Sequence, residues 1–211
     1  MTINSEELKK IDKDLEKHAK SSLLVVTKNQ SLDAVKNLIE MGYCSFGENK
    51  VQEAKDKFTS LTKHQYELHL IGPLQTNKVK LALSLFDTIQ TLDREKLVLE
   101  IVNQIRKNTG TCMTKNFFIQ VNIGLEKQKS GVEPDNVLKL YDLCSENNLN
   151  ISGLMCIPPL AENPEPYFLN MVKLRDSINK KLLLSMGMSS DYQLALKYGS
   201  NMIRIGSKIF S

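Results

Sequence analysis

Lys28 is the first candidate for chemistry in this sequence, because it follows a short apolar run, Leu23–Val26, and Thr27. If this run is a strand, the lysine stands at its carboxyl end. Burial among apolar side chains lowers the pKa of an amine, which makes it a better nucleophile and Schiff-base former. The alternative is a lysine that ends a strand and reaches solvent, as most lysines do. Position alone leaves both open.

Arg204 is the second candidate, since arginine occurs at only four positions and this one lies in an apolar run. A charged residue in such a run costs free energy unless it is paired. If Ile203 and Ile205 face outward, alternation places Arg204 inside the fold. Its fixed, always-charged fork could then donate to a ligand heteroatom or pair with Glu48 or another carboxylate.

Two glycine-containing segments near the end of the chain are suited to phosphate. The first is Ser185-Met186-Gly187-Met188-Ser189, and the second is Gly206-Ser207. Ser189 or Ser190 is a natural N-cap for the helix that follows the first segment. Glycine lets backbone N–H groups approach a phosphate, and a helix N-terminus favours its charge. Ordinary turn and cap chemistry explains the same residues equally well.

These residues need elements to position them, and short apolar runs alternate with helical periodicity along the chain. Eight strands are predicted, at Leu23–Thr27, Cys44–Phe46, Glu67–Ile71, Thr88–Thr91, Asn116–Asn122, Ile151–Met155, Leu182–Ser185 and Met202–Ile205. Helices are predicted at Ser5–His18, Leu32–Met41, Lys50–Leu61, Asn77–Leu85, Arg94–Lys107, Pro134–Asn147, Glu165–Lys180 and Ser190–Tyr198.

This alternation is typical of parallel strands joined by right-handed crossovers. We therefore predict an α/β fold, a single (β/α)8 TIM-type barrel with an extra N-terminal helix, as one domain over residues 1–211. An open, doubly wound sheet is the main alternative. A Rossmann nucleotide fold is disfavoured, because no Gly-x-Gly-x-x-Gly follows the first strand.

Composition narrows the class of protein. The sequence is 41% hydrophobic and 25% charged with a net charge of +4, which is ordinary for a globular protein. It has no apolar run of about 20 residues, and Met1–Lys20 lacks the features of a signal peptide. Basic and aromatic residues do not cluster, and no zinc-ligand spacing occurs. We expect a cytoplasmic protein without a metal, a membrane span or a nucleic-acid partner.

Taken together, the spaced motifs resemble the YggS/PROSC family of pyridoxal-phosphate homeostasis proteins, which is related to the N-terminal barrel of alanine racemase. The matching segments are Leu24–Lys28, Phe46–Glu53, His69–Lys78, Gln120–Ile123, Lys129–Gly131, Gly153–Met155, Leu184–Ser189 and Ile203–Ser207. The resemblance runs in order from about residue 23 to the end. Thr27 departs mildly from it, since the family often has serine before the lysine.

The resemblance implies pyridoxal 5′-phosphate (PLP) as cofactor. It implies that Lys28 forms a Schiff base with PLP and that Arg204 faces the pyridine nitrogen. It implies that Asn49 lines the cofactor pocket. The implied phosphate ligands and their neighbour are Ser185, Gly206, Ser207 and Met186.

The resemblance also bears on activity. An arginine at the pyridine nitrogen keeps that nitrogen unprotonated, which weakens the cofactor as an electron sink. Alanine racemases take a second base from a further domain of the other subunit, which we do not expect here. We therefore expect a monomeric, non-catalytic PLP carrier with PLP-dependent apo-enzymes as candidate recipients. A low-activity, racemase-like PLP enzyme and a phosphosugar-binding barrel enzyme are the alternatives.

Overall fold

The computed structural model describes residues 2–107, 110, 112–160 and 162–210. Eight parallel strands form a closed barrel in which each strand pairs with the next along the chain. They are β1 (Ser22–Val26), β2 (Ser45–Glu48), β3 (Glu67–Leu70), β4 (Thr88–Leu92), β5 (Asn116–Val121), β6 (Ile151–Cys156), β7 (Leu183–Ser185) and β8 (Met202–Ile205). β8 returns to β1, with Ser22 opposite Met202 and Val25 opposite Ile205. This closure confirms the predicted barrel and excludes the open sheet.

Helices connect the strands on the outside of the barrel. In the described part of the chain they are α1 (Ser5–Glu16), α2 (Leu32–Glu40), α3 (Val51–Phe58), α4 (Val79–Leu83), α5 (Glu95–Lys107), α6 (Val137–Glu146), α7 (Glu165–Ile178) and α8 (Tyr192–Lys197). Every predicted element is present, with ends that differ by at most three residues. α4 and α6 begin late because 3₁₀ turns occupy Thr76–Lys78 and Pro134–Asn136. No helix among these residues is both long and apolar enough to cross a bilayer.

The main apolar core lies between the barrel and its helices. Alternation along each strand sends every second side chain outward into this layer. Phe46 of β2, Leu68 of β3 and Phe168 of α7 are completely buried there. The residues of opposite parity point into the barrel.

The extra N-terminal helix closes the ring of helices. Leu8 and Ile11 of α1 are buried in the core. Asp12 accepts a hydrogen bond from Tyr43, which follows α2, and Asp14 accepts one from Tyr192 of α8. α1 therefore lies between α8 and α2, in the position that a helix after β8 would take in a complete (β/α)8 barrel.

Candidate active site at the mouth of the barrel

A line of polar side chains crosses the barrel interior. Ser185 of β7 bonds Gln90 of β4 at 2.7 Å, and because β4 and β7 are not neighbours this bond must pass through the lumen. Arg204 Nη1 lies 2.8 Å from Ser185 Oγ, and Gln90 Nε2 lies 2.8 Å from His69 Nδ1. We call these four residues, His69, Gln90, Ser185 and Arg204, the lumen network. They join four strands of the barrel.

The chemistry of the groups sets the direction of each hydrogen bond in the lumen network. Because a guanidinium only donates, Ser185 Oγ accepts from Arg204, and the Ser185 hydroxyl donates to Gln90 Oε1. The amide nitrogen of Gln90 then faces His69, whose Nδ1 must accept. The other ring nitrogen of His69, Nε2, lies 3.1 Å from Glu67 Oε1. The lumen network thus runs from Arg204 through Ser185 and Gln90 to His69.

Arg204 has no carboxylate partner among the described residues. It is 4% exposed, and Nη2 donates to the carbonyl of Cys156 at 2.7 Å. Burial lowers the pKa of its guanidinium, which nevertheless stays charged. The predicted interior position is confirmed. Pairing with Glu48 is wrong, because Glu48 faces away from the lumen and binds Thr27 and Lys57 instead.

Lys28 stands at the mouth of the barrel, in the turn that follows β1. Leu24 pairs in register with Arg204, and a Cβ on Gly47 of β2 would lie 3.0 Å from the Leu24 side chain. Val26 follows Leu24 by two residues and so shares its side of the strand, and Lys28 lies in the turn directly after β1. The lysine is exposed, and within the described chain its amine has no hydrogen bond or ion pair. Of the two alternatives that its position in the sequence left open, the structure shows the lysine that ends a strand and reaches solvent.

The end of β8 brings a second pair of groups to the same mouth. A Cβ on Gly206 would lie 2.8 Å from the carbonyl oxygen of Val26, so this position needs glycine. Ser207 Oγ lies 3.0 Å from Ser189 Oγ. Among the described residues no backbone acceptor takes the N–H groups of Ser189 and Ser207. Two hydroxyls and two amides are thus available to an anion beside β1.

Ser185 and Met186 do not lie at this mouth. Ser185 is fully buried, with its hydroxyl already used twice in the lumen network. Met186 points outward into the apolar core, and its N–H donates to Met202. Gly187 (φ +96°) then turns the chain toward the mouth, so Ser189 is the serine that meets Ser207. The geometry does not favour Ser185 as a phosphate ligand or Met186 as its neighbour at the phosphate.

Asn49 is half-buried at the mouth, directly after β2. Its carbonyl oxygen packs against Gly72, where a Cβ would lie only 2.1 Å away. α3 begins after Lys50, which is its N-cap. Likewise α8 is preceded by Asp191 rather than Ser189 or Ser190. Contact between Asn49 and a cofactor stays a prediction.

The donor set fits PLP chemically. Lys28 offers a primary amine to an aldehyde, and Arg204 offers a guanidinium to an aromatic nitrogen acceptor. The hydroxyls and amides of Ser189 and Ser207 suit a phosphate. These groups come from β1, β8 and the loop after β7, which are adjacent in the barrel.

Sequence reasoning missed the partners that hold these groups. Gln90 lies in the polar–apolar alternation Thr88–Leu92, and His69 lies at an inward position of β3. Lys57 follows Glu53 by four residues on α3, which places both on one face of the helix. Alternation and helical spacing show which way these residues face, but no sequence signal shows what they touch.

Comparison with known proteins places the chain in a family. Residues 3–211 match the alanine racemase N-terminal domain family. The chain is 38% identical over 199 residues to a protein of Aquifex aeolicus, an alignment that covers 90% of this chain and 86% of that one. It is 39% identical over 203 residues to a protein of Vibrio cholerae, with coverage of 89% and 84%. Both relatives are named pyridoxal phosphate homeostasis protein.

Solved structures agree with this placement. PipY of Synechococcus elongatus superimposes with a TM-score of 0.85 in its structure without PLP and 0.82 with PLP bound, at 29% and 27% identity. Each comparison covers 98% of this chain and 99% of PipY. Alanine racemase of Acinetobacter baumannii shares the fold, with a TM-score of 0.73 and 12% identity over 95% of this chain and 59% of that one. The chain therefore belongs to the alanine racemase N-terminal domain family, among relatives named pyridoxal phosphate homeostasis proteins.

Proposed function

We propose that this protein binds PLP as a Schiff base on Lys28 and serves intracellular PLP homeostasis by holding, buffering or delivering the cofactor. The names of its relatives and the PLP-bound structure of PipY support this proposal. The observation that carries it is the pairing of β1 with β8. This pairing sets Leu24 beside Arg204 and brings the end of β1, two residues before Lys28, against Gly206.

When bound, PLP supplies an aldehyde, a pyridine nitrogen and a phosphate. Lys28 would hold the aldehyde carbon of PLP through its side-chain amine, the group that forms a Schiff base with an aldehyde. The exposed position of Lys28 leaves its amine accessible to this aldehyde.

Arg204 is the residue that favours holding the cofactor over turning over an amino acid. Its charge beside the pyridine nitrogen opposes protonation there, and a protonated ring nitrogen is what makes PLP a strong electron sink. Ser185 contributes by fixing the guanidinium rather than by contacting phosphate. The protein is then a non-catalytic carrier, with PLP-dependent apo-enzymes as its recipients.

Phosphate binding is assigned to the end of β8 and the loop after β7. Ser189 takes the role that the sequence suggested for Ser185, and it acts with Gly206 and Ser207. Asn49, which follows β2, lines the pocket on the other side of β1 from β8. Met186 supports the loop by packing in the core.

An absorption spectrum with PLP, before and after borohydride reduction, tests the covalent site. We expect a Schiff-base band in the wild type and, after reduction, a label that peptide mapping places on Lys28. Lys28→Ala should abolish the band, whereas Lys50→Ala, a matched change at another exposed lysine of the mouth, should retain it. Label spread over several lysines would contradict the proposal.

An assay of the PLP-loaded protein with amino acids tests the carrier role. We expect no racemisation or transamination at ordinary enzyme rates, which begin at about 1 per second. Turnover at such rates would instead establish a PLP-dependent enzyme. We also predict a monomer, which light scattering on the purified protein would check. We predict a cytoplasmic location, which cell fractionation would check.

A further inference from the structure

The turn that carries Lys28 rests on a buried group of charged residues. We call Thr27–Gln30 the lysine turn, and Glu48, Glu53 and Lys57 the acid–lysine cluster. Within the described chain the Lys28 amine has no partner of its own. Its placement is therefore set by the backbone on either side of it, and the acid–lysine cluster binds both sides.

The residue before Lys28 is held twice. The carbonyl of Thr27 accepts a hydrogen bond from Lys57 Nζ at 2.6 Å, and Thr27 Oγ1 donates to Glu48 Oε1 at 2.7 Å. The residue after Lys28 is held once, since the N–H of Asn29 donates to Glu53 Oε1. One cluster thus binds the positions immediately before and immediately after the reactive lysine.

The lysine turn needs this support. Asn29 has a φ of 60°, in the left-handed region that costs free energy for residues other than glycine. Inside the turn, the N–H of Gln30 donates to the carbonyl of Thr27 at 3.0 Å. That carbonyl also accepts from Lys57, so the cluster and the turn share one anchor point.

A purely structural role explains the acid–lysine cluster poorly. Lys57 Nζ lies 2.7 Å from Glu48 Oε1 and 3.2 Å from Glu53 Oε1, with Glu48 completely buried. Buried ion pairs cost desolvation and are often no more stable than apolar residues of the same size. One oxygen of Glu48 even lacks a partner among the described residues. The arrangement is better explained by what its other bonds hold, namely Thr27 and Asn29.

We infer that Glu48, Glu53 and Lys57 are positioning residues that fix the lysine turn so that the Lys28 amine meets the aldehyde of PLP. The inference rests on the proposed function and deepens it. Non-covalent binding of the ring and phosphate uses Arg204 and the end of β8. The acid–lysine cluster should therefore affect formation of the Schiff base and leave non-covalent binding unchanged.

Two ligands separate these effects: PLP, and pyridoxine 5′-phosphate, which has an alcohol in place of the aldehyde. Glu53 is partly exposed, so Glu53→Ala should fold while releasing Asn29. We expect the rate of Schiff-base formation to fall by about ten- to a hundredfold, as for a misplaced reacting group. Binding of pyridoxine 5′-phosphate should stay within about twofold, a change of less than 1 kcal/mol. Glu53→Gln should restore most of the rate, because its amide oxygen still accepts from Asn29.

Lys57→Met tests the other side of the turn, and Lys63→Met is its matched control. The control breaks the ion pair of Lys63 with Asp87 at the opposite end of the barrel and should leave both ligands unaffected. The inference would be overturned if Glu53→Ala formed the Schiff base at an unchanged rate. It would also be overturned if Schiff-base formation with PLP and binding of pyridoxine 5′-phosphate fell by the same factor. A wild type that forms no band would refute the proposed function itself, and the inference would fall with it.

Discussion

The inside and the outside of the barrel wall are equally buried but differ in chemistry. Outward side chains such as Phe46 and Leu68 meet the helices in an apolar layer. Inward side chains include Gln90, Ser185 and Arg204, which are bonded to one another across the lumen. Solvent exposure does not distinguish these two sets, because the exposed fraction of each side chain is close to zero.

The difference separates stability from orientation. Apolar contacts in the outer layer are non-directional, so they stabilise the barrel without orienting any particular group. Hydrogen bonds in the lumen network are directional, and each fixes the next toward Arg204. Substitutions on the two sides of one wall should therefore differ in kind. Those outside should lower stability alone, whereas those inside should also change how PLP is bound.

The largest effect on stability is expected in the outer layer. Phe168→Ala removes a completely buried ring and should lower the free energy of unfolding by about 3–5 kcal/mol. The PLP affinity of the folded fraction should stay unchanged. Urea unfolding and PLP titration measure the two quantities, and Leu169→Ala, on the exposed side of α7, is the control with little expected effect. Weakened PLP binding at temperatures where Phe168→Ala is folded would contradict the expectation that substitutions in the outer layer lower stability alone.

Neighbouring residues of β4 give the sharpest contrast. Gln90→Leu removes the acceptor of the Ser185 hydroxyl and the partner of His69 Nδ1, and it should cost about 1–3 kcal/mol of stability. PLP affinity should fall by about tenfold, since Arg204 loses its orientation. Thr91→Val removes the buried bond to the Gly72 carbonyl at a similar cost in stability. It should leave PLP affinity unchanged, and equal PLP losses in the two variants would contradict this account.

Because Ser185 and Ser189 have different proposed roles, substituting each should affect ligands with and without a phosphate differently. Ser189→Ala should weaken PLP binding by about fivefold, which corresponds to the loss of roughly 1 kcal/mol for one hydrogen bond. It should not affect the binding of pyridoxal, which has no phosphate. Ser185→Ala should weaken the binding of both ligands, because Ser185 acts on the ring through Arg204. Equilibrium titrations with each ligand check this, and a loss confined to PLP in Ser185→Ala would restore the original phosphate assignment.

The smallest effect is expected at the outer surface, where Asp14 joins α1 to α8. Hydrogen bonds from Gln193 and Lys17 lower the pKa of its carboxyl from 3.8 to about 2. A lowered pKa stabilises the fold above the unfolded value, so this contribution is lost as pH falls from about 4 to about 2. Solvent screening limits it to about 1 kcal/mol. Urea unfolding at pH 5 and pH 2.5 should show this loss in the wild type, whereas Asp14→Asn should lack this part of the pH dependence.

Much of the fold could be predicted from local patterns. The alternation of apolar runs with helical periodicity predicted eight strands and the barrel, and Arg204 was placed inside by the two isoleucines beside it. Less of the site could be predicted. Ser185 and Ser189 lie in one short segment, and only the turn at Gly187 decides which of them reaches the mouth. The sequence also left the exposure of Lys28 open, because it depends on neighbours that are distant in sequence.

The sequence by itself determined which residues are strand or helix and that Arg204 faces inward, because both depend on local periodicity. Tertiary structure alone decided which groups meet. Gln90 and Ser185 are 95 residues apart in the sequence. Lys57 and Thr27 are 30 residues apart, with α2 and β2 between them in the chain. These contacts depend on the register in which eight strands close into a barrel. No local pattern encodes that register, since it follows from packing the whole core at once.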